Sequence, residues 1–438
     1  MKEKQIITGF SKLTKDEKIK EVARYFKNPQ EISDFLASFW FHEEKHQKLF
    51  DEFSENTISN FHFPFGIAPN VMINGKNYLI PMVIEESSVV AAAANSAKFW
   101  STRGGFHTRI ISTTKIGQVH FIWKGEKEEL KAHFPELKQR LIEGTQAISK
   151  NMQERGGGIL DIELVDMRKE IPDYYQLKAS FNTRDAMGAN FINSCLEEFA
   201  SILKDFVVHK ETIKEKEVIV IMSILSNYTP ECLVEAWVEC PVEEFDAIDP
   251  DMTSKEFVWK FEKAVQIATV DPHRATTHNK GIFNGIDAVV LATGNDFRAV
   301  EACGHTFASR DGQYRSLTQL KVENGIFKYS LLLPIALGTV GGLTSLHPLA
   351  KFTLELLGDP SAEDLMQISA VSGLANNFGA LRSLTTKGIQ KGHMKMHLLN
   401  ILNTFGATEV EKDIAIEYFK TEKVSFNAVE TFLKTVRN

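Results

Sequence analysis

The chain has 438 residues, too many for one ordinary hydrophobic core, so two or three domains are expected. With 43% hydrophobic and 24% charged residues, 27 Gly and 13 Pro, it is neither collagenous nor a Pro-rich disordered chain. A net charge of -7, from 50 Lys+Arg against 57 Asp+Glu, argues against a dedicated nucleic-acid or anionic-membrane protein and leaves room for a local basic pocket that holds phosphates.

In chain order, Thr14 is placed to cap a first helix, with Glu17 as capping-box partner. Glu31 to Phe53 carries Phe35, Phe39, Phe41 and Leu49 at helical spacing. Asn74-Gly75 predicts a hairpin that closes on a strand Tyr78 to Val83. An Ala-rich helix, Val89 to Trp100, follows, capped by Ser87 or Ser88, and its small residues suit close packing against a neighbour. His107 to Thr113 and Gly117 to Trp123 read as strands. Glu126 to Met152 reads as mostly helical, with a break near Pro135. Ile159 to Asp166 and Tyr175 to Asn182 read as strands, Asp185 to Leu203 as a helix capped by Asp185, and Glu217 to Leu225 as a last strand. This order resembles a ferredoxin-like α+β module with one added strand, inserted into a larger helix-rich domain. After Met252 the pattern is helices separated by Gly-rich loops, ending in a segment punctuated by Gly388 and Gly392 that is suited to move as a flap.

Four cysteines, Cys195, Cys232, Cys240 and Cys303, form no CxxC pair and are too few for a disulfide scaffold, so a reducing, cytoplasmic setting is expected. The N-terminal residues lack the apolar stretch of a signal peptide. The most apolar stretch, Tyr329 to Leu343, is interrupted by Pro334, Gly338, Gly341 and Gly342 and is short for a membrane span.

Several motifs carry chemistry. His42, Glu43 and His46 match the H-E-x-x-H pattern of zinc hydrolases, although a solvated charged helix face explains HEEKH as well and no third ligand stands nearby. RDAMGANFINS, Arg184 to Ser194, joins a strand to a helix whose first N–H groups can hold a phosphate, against the plainer reading of a capped helix. Ala275 to Glu301 reads as a polar loop in which Lys280, flanked by Gly, and Asp296 have the composition of a carbonyl stabiliser; the alternative is a surface ion pair. Glu86, beside Glu85 and just before a Ser cap, is either a helix-terminal charge or a general acid.

Taken together, ENTIS, INGKNYLIPMVIEESSVVAAAANSAK, RDAMGANFIN, HRATTHNKGIFNGIDAVVLATGNDFRAVEA, GTVGG and GIQKGHMKMH resemble, in order, the soluble bacterial and archaeal (class II) 3-hydroxy-3-methylglutaryl-coenzyme A reductases. The resemblance runs from about residue 55 to 400. Ser59 stands where the family's ENxIG has Gly, and Leu343 follows the GTVGG loop.

The resemblance implies an α+β fold. A large helix-rich substrate-binding domain is expected over 1–108 and 226–387, a ferredoxin-like dinucleotide-binding domain over 109–225, and a C-terminal helical flap over 388–438. It implies two-step reduction of HMG-CoA to mevalonate and free CoA, in isoprenoid biosynthesis, without a metal. An NADH-linked degradative form is the alternative. The residues carried over are catalytic Glu86, Lys280, Asp296 and His393, substrate-binding Ser88, Arg274 and Asn284, and cofactor-binding Asp185, Met187, Gly188 and Asn190. Asp296 is expected to join Lys280 and Glu86 in one network. Ser149 stands where NADH-preferring members carry an acid, with Lys150 and Arg155 close in sequence, so NADPH is preferred and NADH possible. At least a homodimer is expected, with the Ala-rich helix as a packing face.

Overall fold

A computed structural model describes residues 6–246, 248–386 and 398–437. There are two compact units, Met1–Pro64 and Phe65–Asn438. In the first, helices α1 (Lys15–Ala23), α2 (Pro29–Ala37) and α3 (Glu44–Asp51) are set by local chemistry. Thr14 and Glu17 form the expected capping box. The run from Glu31 to Phe53 is divided between α2 and α3, and the Trp40 indole in the break donates to Ile58 O at 3.1 Å. The Ser59 hydroxyl donates to Leu36 O at 2.7 Å, which gives this departure from ENxIG a structural use. Because α3 begins only at Glu44, His42 lies outside it and shares no helix face with His46. Glu43 instead pairs with His46 Nδ1 at 3.1 Å, so HEEKH does not form the zinc arrangement. No group of three or more His, Cys, Asp or Glu among the described residues could hold a metal ion.

The second unit begins with β1 (Phe65–Ile73) and β2 (Lys76–Val83), joined through Asn74 and Gly75 at φ 49° and 82°. Two positive φ values in succession are what a two-residue hairpin turn requires, and Asn-Gly adopts them at least cost. Then come α4 (Ser87–Ser101), β3 (His107–Ile110), β4 (Lys115–Trp123), α5 (Lys127–Gly144), α6 (Gln146–Glu154), β5 (Gly158–Asp166), β6 (Tyr174–Asn182), α7 (Ala189–His209) and β7 (Val218–Leu225). The antiparallel sheet β5-β6-β4-β7, with α5, α6 and α7 as its helices, is the ferredoxin-like arrangement. It has no added strand. β3, expected within it, pairs instead with β8 (Leu233–Pro241) of another sheet. Helix α5 runs through Pro135, which sits on its exposed side; the break comes at Thr145.

The chain continues through α8 (Ser254–Val270), α9 (Pro272–Ala292), α10 (Phe297–Ala308), β9 (Thr318–Glu323), β10 (Ile326–Pro334), α11 (Leu343–Leu346), α12 (Pro348–Leu356) and α13 (Ala362–Thr385). Strands β9 and β10 correct the purely helical expectation after Met252, and with β3 and β8 they build the sheet β3-β8-β10-β9. The turn between β9 and β10 is again Asn-Gly, Asn324-Gly325, with both φ positive. β10 alternates Phe327, Tyr329, Leu331 and Leu333 into the core, so this apolar stretch is a half-buried strand.

Helix α13 is buried along most of its length, and glycines and alanines on its neighbours make room for it. A Cβ at Gly285 of α9 would lie 2.1 Å from Ser372 O. The small face of α4 packs here too, with Ser96 Oγ donating to Ala375 O at 2.7 Å. The side of this helix that carries Ala93, Ser96 and Ala97 is therefore buried within the chain, while Ala91 is exposed. Residues 398–437 hold a separate apolar cluster that includes Leu402, Phe419, Val429 and Leu433. Gly388, Gly392 and His393 lie outside the described residues. Among the described residues no helix is long and apolar enough to cross a membrane.

Candidate active site

The segment Ala275–Ala292, expected as a polar loop, lies within helix α9. Its inward face is held by a buried polar network. His278 Nε2 hydrogen-bonds Thr318 Oγ1 at 2.6 Å, and the Asn377 amide donates to His278 O at 2.8 Å. Asn279 donates to Arg315 O at 2.8 Å and accepts from Leu317 N at 3.1 Å. The Tyr329 hydroxyl donates to Asn377 Oδ1 and lies 3.0 Å from Thr318 Oγ1. Burial pushes His278 down to about 3. This anchoring of His278 and Asn279 turns Lys280 outward.

Lys280 Nζ reaches Glu86 Oε2 at 3.6 Å, and the two side chains are 64% and 44% exposed. Glu86 is the N-cap residue of α4, and the hydroxyl of Ser88 donates to its other carboxylate oxygen. The N-cap position expected for a serine is thus taken by Glu86, whose side chain makes no capping hydrogen bond. A cation, a carboxyl group and a hydroxyl thus converge at the start of α4 and can accept, donate and stabilise charge on one carbonyl oxygen. The carboxyl is open to solvent.

Asn284, one turn beyond Lys280, is half-buried. Arg274 is half-buried too and has no hydrogen-bond or ion-pair partner among the described residues; burial pushes its pKa down. An unpaired, partly desolvated guanidinium is a ready fork for a carboxylate.

Asp296 does not reach this group. It caps α10 by accepting from Arg298 N at 3.0 Å and Ala299 N at 3.3 Å. The Arg298 guanidinium grips it through Nε at 3.0 Å and Nη2 at 3.1 Å. Arg298 and the helix N–H groups hold the carboxyl below the usual Asp range. The single network expected for Lys280, Glu86 and Asp296 is therefore two separate pairs here.

A cavity of about 660 Å³ runs between residues 186–191, the 294–298 turn and the Gly338–Thr344 loop. It contains Met187, Gly188, Asn190, Asp296 and Arg298. The N-cap of α7 is Gly188, at φ 90°, and no side chain caps the helix. Its first N–H groups are therefore available to an anion. Asp185, expected as that cap, serves elsewhere: Oδ1 accepts from Ala362 N at 2.8 Å, and its backbone oxygen accepts from Thr339 N at 2.8 Å. It clamps the residue 183–190 turn to the start of α13 and to the Gly-rich loop.

Ser149, expected beside the adenine ribose, is only 1% exposed, and its hydroxyl lies 4.0 Å from Cys195 Sγ. The face of α6 that is open carries Ile148, Asn151 and Arg155, which line a second cavity of about 300 Å³ with Asn190, Phe191 and Ser194. Asn190 and Phe191 border both cavities. Helical spacing separates Ser149, facing in, from Ile148, Asn151 and Arg155, facing the cavity, with the mostly buried Met152 at its edge. That period was the signal that could have located Arg155.

The family model for hydroxymethylglutaryl-coenzyme A reductase matches residues 17–398. The chain belongs to this family. It is 35% identical to the 3-hydroxy-3-methylglutaryl-coenzyme A reductase of Archaeoglobus fulgidus, over 99% of this chain and 95% of that protein. A probable reductase of Borreliella burgdorferi is 32% identical over 98% and 97% of the two chains. The Streptococcus pneumoniae reductase superposes with a TM-score of 0.72 at 33% identity, covering 98% of this chain and 99% of that one. A class II structure of the same organism's enzyme, bound to NADPH in open conformations, gives 0.71 at 34% identity over 86% and 99%. As a member of this family the protein is an oxidoreductase acting on a CH–OH group. Within the reductase, the Lys280–Glu86 pair offers a cation beside a carboxyl, and the uncapped end of α7 offers free backbone N–H groups.

Proposed function

We propose that this chain reduces 3-hydroxy-3-methylglutaryl-CoA to mevalonate and free CoA in isoprenoid biosynthesis, with two hydride transfers per turnover and NADPH preferred over NADH. The observation that carries the reading is the Lys280–Glu86 contact, with an unpaired Arg274 earlier on the same helix α9. The uncapped α7 terminus and the adjoining cavity fit a dinucleotide, with Met187, Gly188 and Asn190 at its phosphates. Arg155 and Asn151 are offered for a ribose 2′-phosphate, in place of Ser149. No carboxylate lines their cavity, so nothing there repels the extra charge. When bound, the reduced nicotinamide supplies hydride.

The residues then have separate tasks. Arg274 takes the free carboxylate of the hydroxymethylglutaryl group, and Ser88 and Asn284 hold its polar end. Lys280 stabilises the negative charge that grows on the thioester oxygen. His393 protonates the departing CoA thiolate. Glu86 delivers a proton to the oxygen of the mevaldehyde intermediate as it becomes an alcohol. Asp296 enters the network by exchanging Arg298 for Lys280. The protein works in the cytoplasm as at least a homodimer, which light scattering at assay concentration checks. HMG-CoA mixed with NADPH or NADH, followed by loss of nicotinamide absorbance, tests the reaction. Folded protein that oxidises neither cofactor overturns it.

A further inference from the structure

Lys115 opens β4 in the segment Ser112-Thr113-Thr114-Lys115-Ile116, where nothing in the sequence marks it as functional. It is 6% exposed, a rare state for lysine. Its ammonium makes three hydrogen bonds: to Thr183 Oγ1 at 2.6 Å, Ala186 O at 2.9 Å and Met187 O at 3.0 Å. Thr183 in turn donates to Ala186 O at 2.7 Å. No carboxylate among the described residues lies within ion-pair distance of Nζ. Asp185 acts on it only through space, and its own carboxylate is engaged by Ala362 N–H. The charge is thus hydrogen-bonded and uncompensated, a costly arrangement inside a protein.

Its position explains why such a charge is kept. Ala186 and Met187 belong to the turn that enters α7 at Gly188. In a trans peptide the carbonyl and the following N–H point in opposite directions. With the carbonyl of 187 drawn to Lys115, the N–H of Gly188 faces away from it at the start of α7, while Met187 N–H lies against the backbone of the Gly338–Val340 loop. A methyl on Gly188 would lie 2.3 Å from Thr183 Cγ2, so the turn is closed around the ammonium.

We propose that Lys115 is a positioning residue for dinucleotide binding: it aims the backbone donors of residues 188–190 at a pyrophosphate and lies behind them as the buried cation for which that pyrophosphate is the counter-ion. The proposal rests on the reading of this turn as the cofactor cradle. Burial, which pushes the ammonium's pKa down, adds to the gain when an anion arrives.

Lys115→Met keeps the length of the side chain and removes the charge and all three donors; Thr183→Val removes one acceptor of the ammonium and the hydroxyl that donates to Ala186 O. Calorimetry with three probes separates the possibilities: ADP-ribose, which has the pyrophosphate; adenosine 2′-phosphate, which lacks it; and HMG-CoA, which tests the rest of the site. Lys115→Met should weaken ADP-ribose by roughly 10- to 100-fold and Thr183→Val by roughly 3- to 10-fold, leaving the other two probes within about 2-fold. In turnover, KM for NADPH should rise more than kcat falls. A folded variant of either kind that binds ADP-ribose like wild type overturns the proposal. So does an equal loss for all three probes, which marks a purely structural role. Wild-type protein that binds no ADP-ribose overturns the cradle reading itself, before any variant is compared.

Discussion

Replacing Gly338 by Ala tests whether the Gly-rich loop and the cofactor turn are packed together in the working enzyme. Gly338 is not in the left-handed region, so alanine adds no backbone strain of its own. Its methyl would lie 2.4 Å from Met187 N, 3.1 Å from Ala186 C and 3.2 Å from Asp185 O. All three are backbone atoms, so no rotamer change relieves the clash. A comfortable contact needs about 3.5 Å, so loop and turn must part by roughly 1 Å. Gly338 cannot easily move: its N–H donates to Asn295 Oδ1 at 2.9 Å, and its oxygen accepts from Asn295 Nδ2 at 2.9 Å. The shift therefore falls on residues 185–187. Overpacking of this kind costs about 1–3 kcal/mol in stability. A misplacement near 1 Å costs on the order of 10²-fold in rate, or about 2.7 kcal/mol in the barrier. Steady-state kinetics with NADPH as the varied substrate should show kcat/KM falling by about that factor, with KM for HMG-CoA little changed. Thermal unfolding should show a lower midpoint. A variant with wild-type kcat/KM for NADPH and a wild-type midpoint would refute the packing argument.

Lys280→Met should lower kcat by roughly 10²- to 10³-fold and leave the melting midpoint unchanged, because the ammonium is exposed; activity within tenfold of wild type contradicts its role. Ser149→Asp should destabilise the fold by burying a carboxylate against Cys195 rather than switch the cofactor, whereas Arg155→Gln should lower kcat/KM with NADPH more than with NADH; the reverse pattern in paired kinetics and melts overturns the assignment. Burial and Glu301 push Asp287 up to about 8, so the folded chain holds a proton that the unfolded chain has released, and stability falls as pH rises from about 4 to about 8. Asp287→Asn should flatten that decline in urea midpoints, and an unchanged slope would show that the carboxyl is not its source. His278, pushed down to about 3, acts in the opposite sense: stability falls as pH drops from about 6.5 towards 3, and replacing it with Asn should remove that part of the acid slope.

Local rules were enough for much of the fold. Asn74-Gly75, the Thr14–Glu17 box and the alternating strands from Ile159 to Asn182 each depend on neighbours a few residues away, so they are legible in the chain itself. The order of motifs identified the family, and the residue types at Glu86 and Lys280 pointed to the chemistry of the site. What the chain could not disclose depends on contacts across long sequence separations. His107–Ile110 has the pattern of a strand, but its choice of β8 over β4 is made by edge pairing more than a hundred residues away. Glycines in Ala275–Ala292 look like loop residues until α13 is seen to need their missing side chains, which makes the segment a helix. Ser149 lies on one short helix and Arg155 at its C-terminal cap, and only the packing of α6 near Cys195 decides which of them faces the cavity. Lys115 resembles any surface lysine in sequence. Its burial comes from the turn that folds over it, since three acceptors from residues 183–187 replace the water its charge would otherwise keep.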